Sequence, residues 1–193
     1  MNYKISHPTK IVECEIDLPA SKSISNRLLI IQALSKEKFK IENLSDSDDT
    51  KSLKKALDSK KNIIDIGHAG TSFRFLTSYL SIQNGKRFIL TGSERMKERP
   101  IKELIKVLQR IGGKIDYMEN EGFPPLTING TKLEGGEVEI DGDVSSQFIT
   151  SILLIAPTLK NGIELKINGE LVSKPYVTMT LKLMDEFGIE SSW

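Results

Sequence analysis

Serine hydroxyls, amides and cations crowd the starts of three apolar runs in this chain. The stretches are SKSISNR at residues 21–27, GHAGTSFR at 67–74 and GDVSSQ at 142–147. The first N–H groups of a helix lack internal partners and sit at the positive end of the helix dipole. Polar residues placed there can therefore hold an anion. In the first stretch Ser21, Ser23 and Ser25 offer hydroxyls, while Lys22 and Arg27 offer charge. In the second, Gly67 and Gly70 let a ligand approach the backbone ahead of Thr71, Ser72 and Arg74. The third has Ser145, Ser146 and Gln147, whose amide both donates and accepts. Each also has a plainer reading as an N-cap, a turn glycine or a solvated cation.

Two further stretches carry related chemistry. In RMKERP, residues 95–100, Arg95, Lys97 and Arg99 alternate before Pro100, which suits a first helical position. Arg99 lies closest to that start, and a guanidinium fork grips a carboxylate or phosphate bidentately. LVSKPY, residues 171–176, brings Ser173 and Tyr176 to the matching place in the last part of the chain. The ring of Tyr176 is suited to packing on a cyclic ligand, or to filling core.

The elements that must position these residues recur. Each polar start opens a helical segment, followed by a strand at FKIENL (39–44), RFILTG (87–92) or IELKING (163–169). Ser23 to Phe39, Ser72 to Phe88 and Gln147 to Ile163 are all sixteen positions apart. Second helices follow at DDTKSLKKALDS, RPIKELIKVLQRIGG and SKPYVTMTLKLMDEFG, with apolar residues at three- and four-residue spacing. Strand-like NIIDIG, KIDYM and EVEIDG lie between the copies. The pattern predicts an α/β (α+β) fold in which helices of a repeated unit pack against sheets. The third copy stops at IESSW after Gly188, so the expectation is a portion of a longer protein.

Composition narrows the function classes. The 193 residues are 38% hydrophobic and 27% charged, with 27 basic and 26 acidic groups and a formal net charge of +1. No global field attracts nucleic acid or a membrane surface, so any anion site must be local. No apolar run reaches membrane-spanning length, and the first residues lack the hydrophobic segment of a signal peptide. The lone Cys14 cannot form an internal disulfide. A cytoplasmic protein is the expectation. His7 and His68 are the only histidines, and no cluster has metal-ligand spacing, so neither a metal nor a cofactor is expected. His68 borders the second polar start. No carboxylate in or beside the polar starts is singled out for proton transfer, which leaves acid–base groups unassigned.

The motifs LPASKSISNR, AGTSFR, LTGSERMKERP, DGDVSSQF and LVSKPY together resemble the 5-enolpyruvylshikimate-3-phosphate synthase family, in order and over nearly the whole chain. The resemblance implies transfer of the enolpyruvyl group of phosphoenolpyruvate to the 5-hydroxyl of shikimate 3-phosphate, with release of phosphate. It implies a domain of pseudo-threefold βαβαββ repeats, here with the third repeat incomplete. Residues 1–19 would belong as a strand or crossover with a missing second, C-terminal domain, and residues 20–193 would form the truncated substrate-binding domain. Carried over by position, Ser23, Arg27, Ser145, Ser146, Gln147, Ser173 and Tyr176 line the shikimate 3-phosphate site. Lys22, Gly70, Arg99 and Gln147 face phosphoenolpyruvate, Lys22 touches both reactants and is the catalytic candidate, and Arg74 supports its helix start.

Two local departures from the family pattern are Ala20, where glycine is frequent, and Phe75, where proline is common. The larger one is length. The resemblance puts the acid–base carboxylates in the second domain, so the chain alone would bind without turnover. A sister transferase acting on a UDP-linked amino sugar, UDP-N-acetylglucosamine enolpyruvyl transferase, shares the fold and chemistry, with weaker likeness at SKSISNR and RMKERP. A binding-only half-domain and a purely structural repeat module are the readings from other classes.

Overall fold

Ser21 caps the first helix, its side chain accepting the Ile24 N–H at 3.4 Å, and α1 (Lys22–Leu34) runs from there. The computed structural model describes residues 3–37 and 39–193. Helix α2 (Asp48–Leu57) starts at Ser47, with Asp48 and Asp49 in its first turn and Lys54 and Lys55 in its last. That order of charges complements the helix dipole. There follow β1 (Ile63–Asp65), α3 (Gly70–Ser81), β2 (Arg87–Thr91), the short α4 (Glu94–Lys97), α5 (Lys102–Arg110), β3 (Lys114–Tyr117) and β4 (Leu126–Asn129). The last third holds β5 (Gly136–Asp141), α6 (Ser146–Ile155), β6 (Ile163–Asn168) and α7 (Lys174–Asp185).

The strands form two sheets. One has the order β1-β2-β4-β3, in which β1 and β2 run parallel and β4 lies antiparallel to both β2 and β3. The other is the parallel pair β5 and β6, in register from Gly136 opposite Ile163 to Asp141 opposite Asn168. Strand β5 alternates as its sequence demands: Val138 and Ile140 are buried, while Glu137, Glu139 and Asp141 face solvent. Parallel neighbours need a crossover, and α3 supplies it between β1 and β2 as α6 does between β5 and β6.

Helix α3 is the centre of the core. Only Thr71 and Tyr79 among its residues keep partial exposure, and it packs against α6, α1, α2, α5 and the first sheet. Phe73, Phe75 and Leu76 are at most 1% exposed, each burial stabilising by about 1.5–3 kcal/mol. Inside so dry a helix the polar side chains find partners: Thr77 Oγ1 donates to the Phe73 carbonyl at 2.8 Å, and Ser78 Oγ meets Ser151 Oγ of α6 at 2.5 Å.

Two expectations from the sequence fare differently here. The strands foreseen near residues 63, 87, 114, 136 and 163 are present, but residues 39–44 form no strand. Their apolar side chains are in place, with Phe39 against Phe187 at 4.9 Å between ring centres and Ile41 and Leu44 against the core. What they lack is a ladder partner. Of residues 1–19, the expected strand or crossover, residues 3–19 lie exposed and outside any helix or sheet, and residues 1 and 2 lie outside the described residues. Among the described residues no helix is long and apolar enough to cross a membrane, and no group of three His, Cys, Asp or Glu side chains could hold a metal ion.

Candidate functional site

Three side chains, the half-buried Asp49 and the buried Arg27 and Arg74, tie together the N-terminal parts of α1, α2, α3, α6 and α7. Asp49, the second residue of α2, accepts from Asn26 Nδ2 of α1 at 3.1 Å and from the backbone N–H of Ser72, the third residue of α3, at 3.2 Å. It also accepts a short hydrogen bond from the Ser72 hydroxyl, and Lys22 Nζ stands 3.9 Å from its other oxygen. Arg27 joins α1 to α6 and α7: Nε donates to Thr180 Oγ1 at 2.7 Å and Nη2 to Thr150 Oγ1 at 3.3 Å and the Tyr176 carbonyl at 3.2 Å. Arg74 completes the set, lying 5.9 Å above the ring of Phe148 in the first turn of α6 while Nη1 donates to the Gly70 carbonyl at 3.1 Å.

The two arginines are buried, each 4% exposed. Burial lowers the pKa of both to about 10; for Arg74 the nearby Arg99 pushes the same way and Asp49 opposes. Arg99 itself is exposed and lies over Gly70, where an added Cβ would come within 2.7 Å of Cζ and 2.9 Å of Nη2. Gly70 is thus the gap into which the guanidinium settles. The start of α3 therefore carries two mutually repelling guanidinium groups over its first N–H groups, with the Lys22 ammonium beyond Asp49. An anion held there relieves that repulsion.

The sequence-derived residues divide by their surroundings. Lys22, Gly70 and Arg99 belong to this charged end. Arg27 is in the packing beneath it, with four of its five N–H donors engaged, the fourth by the Ser23 carbonyl at 2.8 Å. Ser23 is half-buried beside it. Ser145 caps α6, accepting from the Gln147 N–H at 3.3 Å, and Ser146 and Gln147 are partly exposed. Among the described residues these three make no side-chain hydrogen bond or ion pair with the other clusters. Ser173, at the start of α7, has φ of 63°, a left-handed conformation that costs a non-glycine residue energy. The Tyr176 side chain is exposed, although its carbonyl serves Arg27. His68 holds Ser93 Oγ through Nδ1 at 2.8 Å, next to the α3 start.

Sequence reasoning missed Asp49 and singled out no carboxylate in or beside the polar starts. SDSDDT reads as a cap followed by first-turn acids, which is also true, and nothing local tells that one of those acids reaches across to α1 and α3. Thr150 and Thr180 were missed for the same reason.

A family model described as EPSP synthase (3-phosphoshikimate 1-carboxyvinyltransferase) matches residues 6–59 and 51–192. The chain belongs to the EPSP synthase family. A 3-phosphoshikimate 1-carboxyvinyltransferase of Bacteroides fragilis (strain YCH46) is 52% identical over 193 residues, covering all of this chain and 47% of the relative. One from Sulfurovum sp. (strain NBC37-1) is 42% identical over 216 residues, covering 98% of this chain and 50% of the relative. The EPSP synthase structure from Acinetobacter baumannii superposes with a TM-score of 0.76 at 21% identity, over 92% of this chain and 45% of that one, which establishes the mixed α/β fold. The chain spans about half the length of the curated EPSP synthase relatives it matches.

Proposed function

We propose that this chain is the half of a 3-phosphoshikimate 1-carboxyvinyltransferase that seats the phosphorylated substrates. The observation that carries the reading is the meeting of the starts of α1, α2 and α3 with Lys22, Arg74 and Arg99 around Gly70. Shikimate 3-phosphate would lie along Ser23, Ser145, Ser146, Gln147, Ser173 and Tyr176, with Arg27 beneath. Phosphoenolpyruvate would lie against Lys22, Gly70, Arg99 and Gln147. The 5-hydroxyl gives up its proton and adds to C2 of phosphoenolpyruvate as the methylene carbon takes a proton; phosphate then leaves as the new methyl group loses a proton, which restores the enolpyruvyl double bond. Fixed cations hold the carboxylate and phosphate while charge moves between them.

The finer architecture belongs to the same proposal. Residues 20–193 make a substrate-binding domain of pseudo-threefold βαβαββ repeats with the third incomplete, and residues 1–19 go with a second domain that supplies the proton-transfer groups. The parallel β1–β2 and β5–β6 pairs, each spanned by a buried helix with a polar start, support that reading. Calorimetric titration tests it. Shikimate 3-phosphate should bind at least about tenfold more tightly than shikimate, the worth of one charge-assisted contact. Equal affinities, or no heat from a cooperatively folded sample, would overturn the assignment. Mixed with both substrates, the 193-residue chain should release no phosphate above background; sustained release would place the proton-transfer groups within it.

A further inference from the structure

We propose that Asp49 is the positioning residue of the anion seat, holding the Lys22 ammonium and the first turn of α3 in one arrangement that an incoming anion meets already built. The inference rests on the proposed function and deepens it. Asp49 is the one carboxylate among the described residues that touches the starts of α1 and α3 together, through Asn26, Lys22 and Ser72. Its side chain is 14% exposed against 48% for Lys22, so the acid is the anchored partner and the lysine the movable one. Asn26 is fixed in turn by Thr50, whose hydroxyl donates to Asn26 Oδ1 at 2.7 Å. The charges facing Asp49 are Lys22 on α1 and Arg74 on α3, which lies close enough for the carboxylate to favour its charged form.

The carboxylate also occupies the Ser72 N–H. An anion is thereby directed to the donors ahead of Ser72, toward Gly70 and Arg99, and away from the next turn. Acting through Lys22 has a signature that a merely structural role lacks, because the effects of contacting residues do not add.

The test is a double-mutant cycle on phosphoenolpyruvate binding with Asp49→Asn and Lys22→Met. Asp49→Asn should weaken binding about tenfold in the wild-type background, within the coupling range of contacting residues, and less than about twofold when Lys22 is already Met. Equal losses in both backgrounds, or none in either, overturn the proposal. A second readout needs no ligand. In the chain carrying 13C-labelled lysine, Asp49→Asn should move the Lys22 side-chain resonances while the thermal midpoint stays within a few degrees. Unmoved resonances overturn the proposal even if the chain binds nothing, and a wild-type chain that fails to bind counts against the proposed function alone.

Discussion

Arg27 and Arg99 show how one residue type serves two ends at the same helix starts. Arg27 is sunk among Thr150, Thr180 and two carbonyls. Arg27→Ala should therefore lower the free energy of unfolding by roughly 2–3 kcal/mol, since it strips charge-assisted hydrogen bonds from buried partners, and Arg27→Lys should not restore it. Chemical denaturation measures both, and an unchanged midpoint would mean that those bonds contribute nothing net. Arg99 is exposed above Gly70, where a methyl group would displace the tip of a flexible side chain and leave the backbone in place. Gly70→Ala should consequently leave stability within about 1 kcal/mol, helped by the better helix propensity of alanine. It should still weaken binding of phosphoenolpyruvate or inorganic phosphate severalfold, read by calorimetry beside a melting curve. Retained affinity would show that the anion does not use the gap.

At the level of elements, β3 offers a titration whose sign follows from its surroundings. Burial raises the Tyr117 phenol to about 12, with Glu121 and Glu103 adding to the effect. The unfolded chain loses that proton near pH 10 and the folded one keeps it, so stability from Tyr117 is complete below pH 10 and is lost as pH climbs toward 12. Tyr117→Phe should flatten the fall in unfolding free energy between pH 10 and pH 12; an unaltered slope would show that the phenol titrates alike in both states. Elements also show what the sequence made legible. The alternation in EVEID and the caps Ser21, Ser47 and Ser145 are local signals, and the strand and helix starts they mark are in the structure. Residues 39–44 carry the same alternation without a ladder, because alternation reports which side faces apolar neighbours and says nothing of a partner strand. Strand β4 was overlooked, since LTIN is four residues long and follows two prolines. For the candidate site, the sequence singled out Gly70 and Arg99, which the structure brings into contact, whereas the reach of Asp49 depends on where α2 docks.

Over the whole molecule, tight packing is unevenly shared. The core runs from Leu29 to Met184, while Ile5, Ile11, Val12, Ile16 and Leu18 are 63–95% exposed ahead of it. Among the described residues, backbone hydrogen bonding in that stretch is local, from the Lys10 N–H to the His7 carbonyl at 3.2 Å and between Ile11 and the Thr9 hydroxyl. To trypsin, such a stretch is substrate: the enzyme needs about ten residues of chain that can lie extended in its groove, and Lys4 and Lys10 sit within one. Brief digestion should trim the chain at Lys10 before any cut appears in α3 or α6, and mass spectrometry of the surviving piece should find Ile11 as its new first residue. The trimmed protein should melt where the intact one does. The amino-terminal ten residues would then be free to be replaced by a label or an affinity handle without disturbing the helix starts, and a chain that resists cleavage at Lys10 would reveal a contact guarding that segment in solution.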